Sequence, residues 1–190
     1  MSKRLSLIAA AAVFALTAGA AVTSTAVLAE NTVMVGGAPM YPSKNIIQNA
    51  VNSKDHTTLV AAVKAAGLVD TLQGPGPFTV FAPVNAAFAK LPAGTVDNLL
   101  KPENKGTLVK VLTYHVVPGR LTAANLMKSV KDGEGEARFK TVAGETIVVK
   151  QAGPGKLSVT DDKGDVATVT IADVLQSNGV IHVIDTVLLP

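Results

Sequence analysis

The chain has 190 residues, 48% of them hydrophobic, with 17 Lys and Arg against 14 Asp and Glu and no Cys. That length supports one domain held by its own apolar core, and the missing thiols exclude a disulfide framework, a lipid-modified cysteine, a thiolate nucleophile and cysteine-ligated metal. Lys and Arg are spaced singly among acids and form no basic stripe, so nucleic acid is not an expected partner.

Lys3 and Arg4 precede an uncharged stretch from Leu5 to Ala29, the pattern of a secretory signal peptide. Val27 and Ala29 are the small residues that place cleavage after Ala29, with Ala18-Gly19-Ala20 as second choice. An uncleaved anchor is the alternative. Thr17, Gly19, Thr23, Ser24 and Thr25 dilute the stretch and no Lys/Arg cluster follows it, which argues against stable membrane insertion. Residues 1–29 hold two basic residues and no acidic one, leaving 15 basic against 14 acidic in the remainder. Residues 30–42 have neither helical nor strand period and are expected to form an N-terminal arm or tail. Residues 43–190 are expected to form a single domain.

Ser43 is placed to cap a short helix carrying Ile46, Ile47 and Ala50, and Asp55 to cap a second in which Leu59, Val63 and Ala66 share a face before Gly67. Leu68–Leu72 continue briefly. Gly74-Pro75-Gly76-Pro77 then breaks the chain, and Phe78–Ala82 alternates like a buried strand. Asn85 is expected to cap a helical turn that buries Phe88 and Leu91. Helices are predicted at Thr95–Leu100, Lys105–Leu112 and Thr122–Val130, the last capped by Thr122, with Tyr114–Gly119 extended. Beyond Gly135 the period becomes two, and strands are predicted at 138–142, 146–151, 156–160, 166–171 and 180–184. Helices first and strands second indicate an α+β fold.

Generic chemical motifs are absent. His56, His115 and His182 lack metal-ligand spacing, and Asp161-Asp162-Lys163-Gly164-Asp165 reads as a hairpin turn, because its Gly and Lys are wrongly placed for a calcium loop. No nucleophile elbow or phosphate loop occurs. No catalytic residue, metal or cofactor is expected.

Three segments remain: Thr79-Val80-Phe81-Ala82-Pro83-Val84-Asn85-Ala86-Ala87-Phe88, Tyr114-His115-Val116-Val117-Pro118-Gly119 and Asn178-Gly179-Val180-Ile181-His182-Val183-Ile184-Asp185. In this order and spacing they resemble the fasciclin domain. The resemblance implies a wedge of β-strands packed against several α-helices, with Thr79, Phe81, Pro83, Asn85, Phe88, Asn178, Gly179 and His182 as structural box residues. Val84 stands where the family commonly has Thr or Ser, which shifts any capping role onto Asn85. The family also implies a non-catalytic extracellular cell-adhesion or matrix-interaction module; the short Ala-rich signal and the lone domain point to a bacterial protein located in periplasm, cell envelope or medium. Its partner would be a protein or a surface or matrix component. By family correspondence Asp173, Val174, Tyr114 and His115 are the partner-binding candidates, and Asp173 is expected to project from a turn. A periplasmic carrier holding an apolar small ligand between helices and wedge is the alternative.

Overall fold

The computed structural model describes residues 31–190, so the expected signal peptide lies outside the described residues. The helices are α1 (Ile46–Ala50), α2 (Thr57–Ala66), α3 (Val69–Gln73), α4 (Asn85–Ala89), α5 (Thr95–Leu99), α6 (Lys105–Tyr114) and α7 (Ala123–Asp132), with 3-10 turns at Lys54–His56 and Pro102–Asn104. The strands are β1 (Val33–Val35), β2 (Ala38–Met40), β3 (Phe78–Pro83), β4 (Val116–Pro118), β5 (Glu136–Lys140), β6 (Thr146–Gly153), β7 (Lys156–Thr160), β8 (Val166–Gln176) and β9 (Gly179–Ile184). The expected α+β class is the one found.

Strands β3 to β9 form one seven-stranded sheet in the order β4-β3-β9-β8-β7-β6-β5. β3 and β9 run parallel, with Phe78 opposite Gly179 and Pro83 opposite Ile184, while the other neighbours are antiparallel. Beyond β5 the Val142 N–H donates to the Val116 carbonyl at 2.8 Å, drawing the far end of the sheet back to β4 and curling it toward a barrel.

Both faces of β3 are buried, which is why its sequence is an almost unbroken apolar run. Val80 and Ala82 join Ile181 and Val183 in a core shared with Ile46 and Ile47, Leu59 and Val63, and Leu108 and Leu112. Phe81 turns the other way, into a second core with Tyr114, Ile147, Val149, Val159 and Ile184, which Leu126 and Val130 of α7 close. β3 and β9 are thus the wall between two apolar compartments.

Several local expectations are corrected. Residues 30–42 are not a loose arm throughout: β1 and β2 pair as a hairpin, and Val35 and Met40 are buried against the helices. Three-residue strands are too short to display a period. The side chain that caps α1 is Asn45, in a reciprocal capping box with Gln48. Asp55 sits in the 3-10 turn ahead of α2, where it makes no cap. Tyr114 ends α6 instead of starting an extended segment, and only Val116–Pro118 is strand. Strand β5 begins two residues early, and β8 runs on to Gln176 through two register shifts. The Thr122 cap on α7 is found as expected, in a box with Asn125. Asp161 makes the expected turn between β7 and β8, its Oδ1 accepting from the N–H groups of Lys163 and Asp165.

Candidate functional site

The first box positions its polar side chains across the fold. The Thr79 hydroxyl, fully buried on β3, donates to the Gly119 carbonyl at 2.7 Å and accepts from the Leu121 N–H at 2.9 Å. It therefore fixes the loop between β4 and α7. Asn85 does not cap its own helix, whose N-cap is Val84 and carries no side-chain bond. Its Oδ1 instead accepts from the Thr58 N–H at 3.0 Å, and its Nδ2 donates to the Lys54 carbonyl at 2.8 Å. A residue from one helix thus supplies the missing cap of another. Phe88 is buried in the helix-side core, and Pro83 ends β3 beside Ile184.

The second box mirrors this. Asn178 Oδ1 accepts from the Ile46 N–H at 3.1 Å, and Nδ2 donates to the carbonyls of Leu72 and Gly74 at 2.8 and 3.0 Å. One amide thereby satisfies the start of α1 and the end of α3. Gly179 is required for a different reason: a Cβ there would collide with the Phe78 carbonyl of the adjacent parallel strand.

His182 is fully buried and stacks on Phe81 with ring centroids 5.6 Å apart. Its Nε2–H donates to the Leu121 carbonyl at 2.8 Å, and Nδ1 accepts from the Asp173 N–H at 3.3 Å. Burial lowers its pKa, against smaller opposing effects from the Leu121 carbonyl and Asp173. His115 is similarly consumed: Nδ1–H donates to the Val111 carbonyl at 2.8 Å, and Nε2 accepts from the Leu188 N–H at 3.0 Å. Burial depresses its pKa to about 4.

The four partner-binding candidates divide sharply. Val174 and Tyr114 are buried, as is His115. The Tyr114 hydroxyl donates to the Thr146 carbonyl at 3.2 Å and accepts from the Asp162 N–H at 3.1 Å. These three side chains offer a partner no surface and form part of the interior. Asp173 is half-buried in the β8 irregularity, with a left-handed φ of 56°. It does not project freely, because Oδ1 accepts from the Ala123 N–H at 2.7 Å at the first turn of α7. The left-handed conformation, uncommon outside glycine but tolerated by Asp, turns the carboxylate onto that helix.

Sequence reasoning missed His56. It is 3% exposed, its Nδ1 lies 2.9 Å from Ser53 Oγ, and its buried Nε2 has no hydrogen-bond partner. No sequence signal separates it from a surface histidine at a helix start. Among the described residues, no group of three His, Asp or Glu side chains is arranged to hold a metal ion. Nor is any described helix long and apolar enough to cross a membrane.

Comparison with known proteins gives these features a common context. The fasciclin domain family model matches residues 54–190. Protein sll1483 of Synechocystis sp. is 52% identical over 161 residues, covering 85% of this chain and 82% of that protein. The cell surface glycolipoprotein MPB83 of Mycobacterium bovis is 34% identical over 146 residues, covering 74% of this chain and 58% of the relative. Among solved structures, the domain pair from the insect cell adhesion molecule Fasciclin I aligns with a TM-score of 0.56 at 25% identity, over 69% of this chain and 43% of that one. With the matched span taking in both boxes and the Tyr-His segment between them, the chain belongs to the fasciclin domain family.

Proposed function

We propose that the chain acts outside the cytoplasm as a non-catalytic interaction module that holds a protein or matrix component at a cell surface or envelope. The observation that carries this reading is the use made of the box residues. Thr79, Asn85, Asn178, His115 and His182 each spend polar atoms on backbone groups of other segments, His115 through the Leu188 N–H. Side chains committed in this way hold a scaffold rigid and are not free to exchange protons with a substrate. Recognition then falls to the exterior that the scaffold presents. The names of two relatives, a cell surface glycolipoprotein and a cell adhesion molecule, support the same reading. Export by residues 1–29 is part of the proposal and rests on the sequence pattern.

Asp173 is the partner-contacting residue we propose at the rim, through the part of its carboxylate not given to Ala123. Beads coated with the chain should adhere to cells above the level of albumin-coated beads. Asp173→Asn retains an acceptor for Ala123 while removing the charge, so it should lower adhesion without loss of fold. Retention equal to albumin would dismiss the module reading, whereas unchanged adhesion by Asp173→Asn would dismiss only the residue.

A further inference from the structure

Between the helices and the β3–β9 wall lies a partly open cavity of about 40 Å³. Val35 and Met40 of the hairpin, Ile46 and Ile47 of α1, Leu59 and Val63 of α2 are among its lining, with His56 set into the wall. The lining contains no Lys, Arg, Asp or Glu. Into this apolar space the structure places one polar atom without a partner, His56 Nε2. The Ala82 carbonyl faces the ring as a weak backbone hydrogen-bond acceptor, but the contact falls outside ordinary hydrogen-bond geometry and leaves Nε2 without a well-made bond. An orphan polar atom so deeply buried costs about 1–3 kcal/mol unless something occupies the site.

Water is a poor occupant. The volume of about 40 Å³ holds about three or four waters at about 10–15 Å³ each, but a buried water normally makes about three hydrogen bonds, and with Ser53 and His115 already paired this lining offers little beyond Nε2 and the Ala82 carbonyl. An apolar molecule with a single polar end matches both features. We infer that the cavity is the inner end of a binding site for an uncharged apolar molecule carrying one terminal hydroxyl or carbonyl, bonded to His56 Nε2.

The charge of the ligand follows from the surroundings. Burial holds His56 below its usual range, with the Ala82 carbonyl and Asp55 opposing only in part. At neutral pH the ring is uncharged, and a buried carboxylate would find no cation in the lining. The Ser53 hydroxyl rotates to donate to Nδ1 or to accept from it, so Nε2 serves as donor to a carbonyl or as acceptor from a hydroxyl.

The body of the ligand enters by way of the hairpin. β1 and β2 form a two-stranded sheet separate from the seven-stranded one. Among its attachments are the Lys54 N–H to the Gly36 carbonyl at 3.2 Å and the paired bonds between Tyr41 and the Asn49 amide. An isolated two-stranded element is marginally stable by itself and is the wall that yields most easily. This site is independent of the exterior used for adhesion.

The test uses 1-hexanol and hexanoate on the isotope-labelled full chain at pH 7.5. Hexanol should saturably move the His56 Nε2 nitrogen resonance and the methyl signals of Ile47 and Val63. Hexanoate should bind at least tenfold more weakly. His56→Leu should weaken hexanol binding about tenfold, and Met40→Ala, which enlarges the cavity, should tighten it in a chain whose histidine is intact. No saturable shift in the unaltered chain, or equal affinity for the alcohol and the carboxylate, overturns the inference.

Discussion

Asn85 accepts a hydrogen bond from the backbone N–H of Thr58, 27 residues earlier, and so caps a helix to which it does not belong. The same amide donates to the Lys54 carbonyl, so the 3-10 turn, α2 and α4 are fastened at one point. Asn85→Ala removes both bonds and leaves the start of α2 with no side-chain cap. Urea denaturation should show a loss of about 1–2 kcal/mol. Asn85→Asp keeps the acceptor and should lose about half as much. Equal stability of Asn85→Ala and the unaltered chain would remove this fastening from the account of the fold.

Asp173 predicts a contrast between two substitutions. Asp173→Asn preserves an acceptor toward Ala123 and tolerates the left-handed backbone, so its stability should stay within about 0.5 kcal/mol of the parent. Asp173→Ala loses the acceptor and places a side chain with no compensating hydrogen bond at positive φ, for a cost of about 1–2 kcal/mol. Matched thermal melts of the two proteins measure the difference. Identical melts would show that the bond to α7 contributes nothing.

Gly179→Ala should be among the more damaging single-methyl additions. The new Cβ meets the Phe78 carbonyl of the parallel partner strand, a backbone atom that cannot swing aside. Parting β3 from β9 at this register should cost about 3 kcal/mol. Gly37→Ala, where a Cβ has open space around it, provides the comparison for simple positive-φ strain. A smaller loss at Gly179 than at Gly37 would contradict the close approach.

The buried histidines make the fold acid-sensitive. In the unfolded chain a histidine titrates near pH 6.5, whereas folded His115 titrates at about 4 and His56 and His182 also lie below the usual value. Below pH 6.5 the unfolded chain therefore binds more protons than the folded one, and stability falls as pH falls. The His115 contribution is complete above pH 6.5 and disappears between there and pH 4, by roughly 3 kcal/mol. Urea midpoints at pH 7.5, 5.5 and 4.5 should decline in that order. A midpoint that rises on acidification would place these rings in a charged, paired state inconsistent with their hydrogen bonds.

The hairpin can be tested by Met40→Ala. Met40 is 2% exposed and packs in the helix-side core, so truncation should cost about 2–3 kcal/mol. A freely moving arm would show no change in the melt.

What could be read in the sequence was whatever depends on neighbours along the chain. Phe78–Ala82 announced a buried strand by its alternation just after a Gly/Pro break, and Thr122 announced the start of α7 because a capping hydroxyl acts on the turn that follows it. Asn85 and Asn178 looked like local caps or turn residues, yet their partners lie 27 and 132 residues away. Such bonds leave no spacing to detect. Tyr114 and His115 precede two valines and resemble the approach to a strand, but the packing of Leu108, Val111 and Leu112 carries α6 two residues further, to Tyr114. Asp173 was expected to face outward because a buried unpaired carboxylate is costly. The structure meets that cost with the α7 backbone instead of with solvent.

The parallel pairing of β3 with β9 joins Phe78 to Gly179, so the centre of the sheet is complete only when synthesis has passed Ile184. Until then β3 has β4 on one flank and an open backbone edge on the other. Such long-range closure slows folding and keeps the early product pliable. Under the export proposed above, that delay leaves the chain open to threading until β9 has emerged.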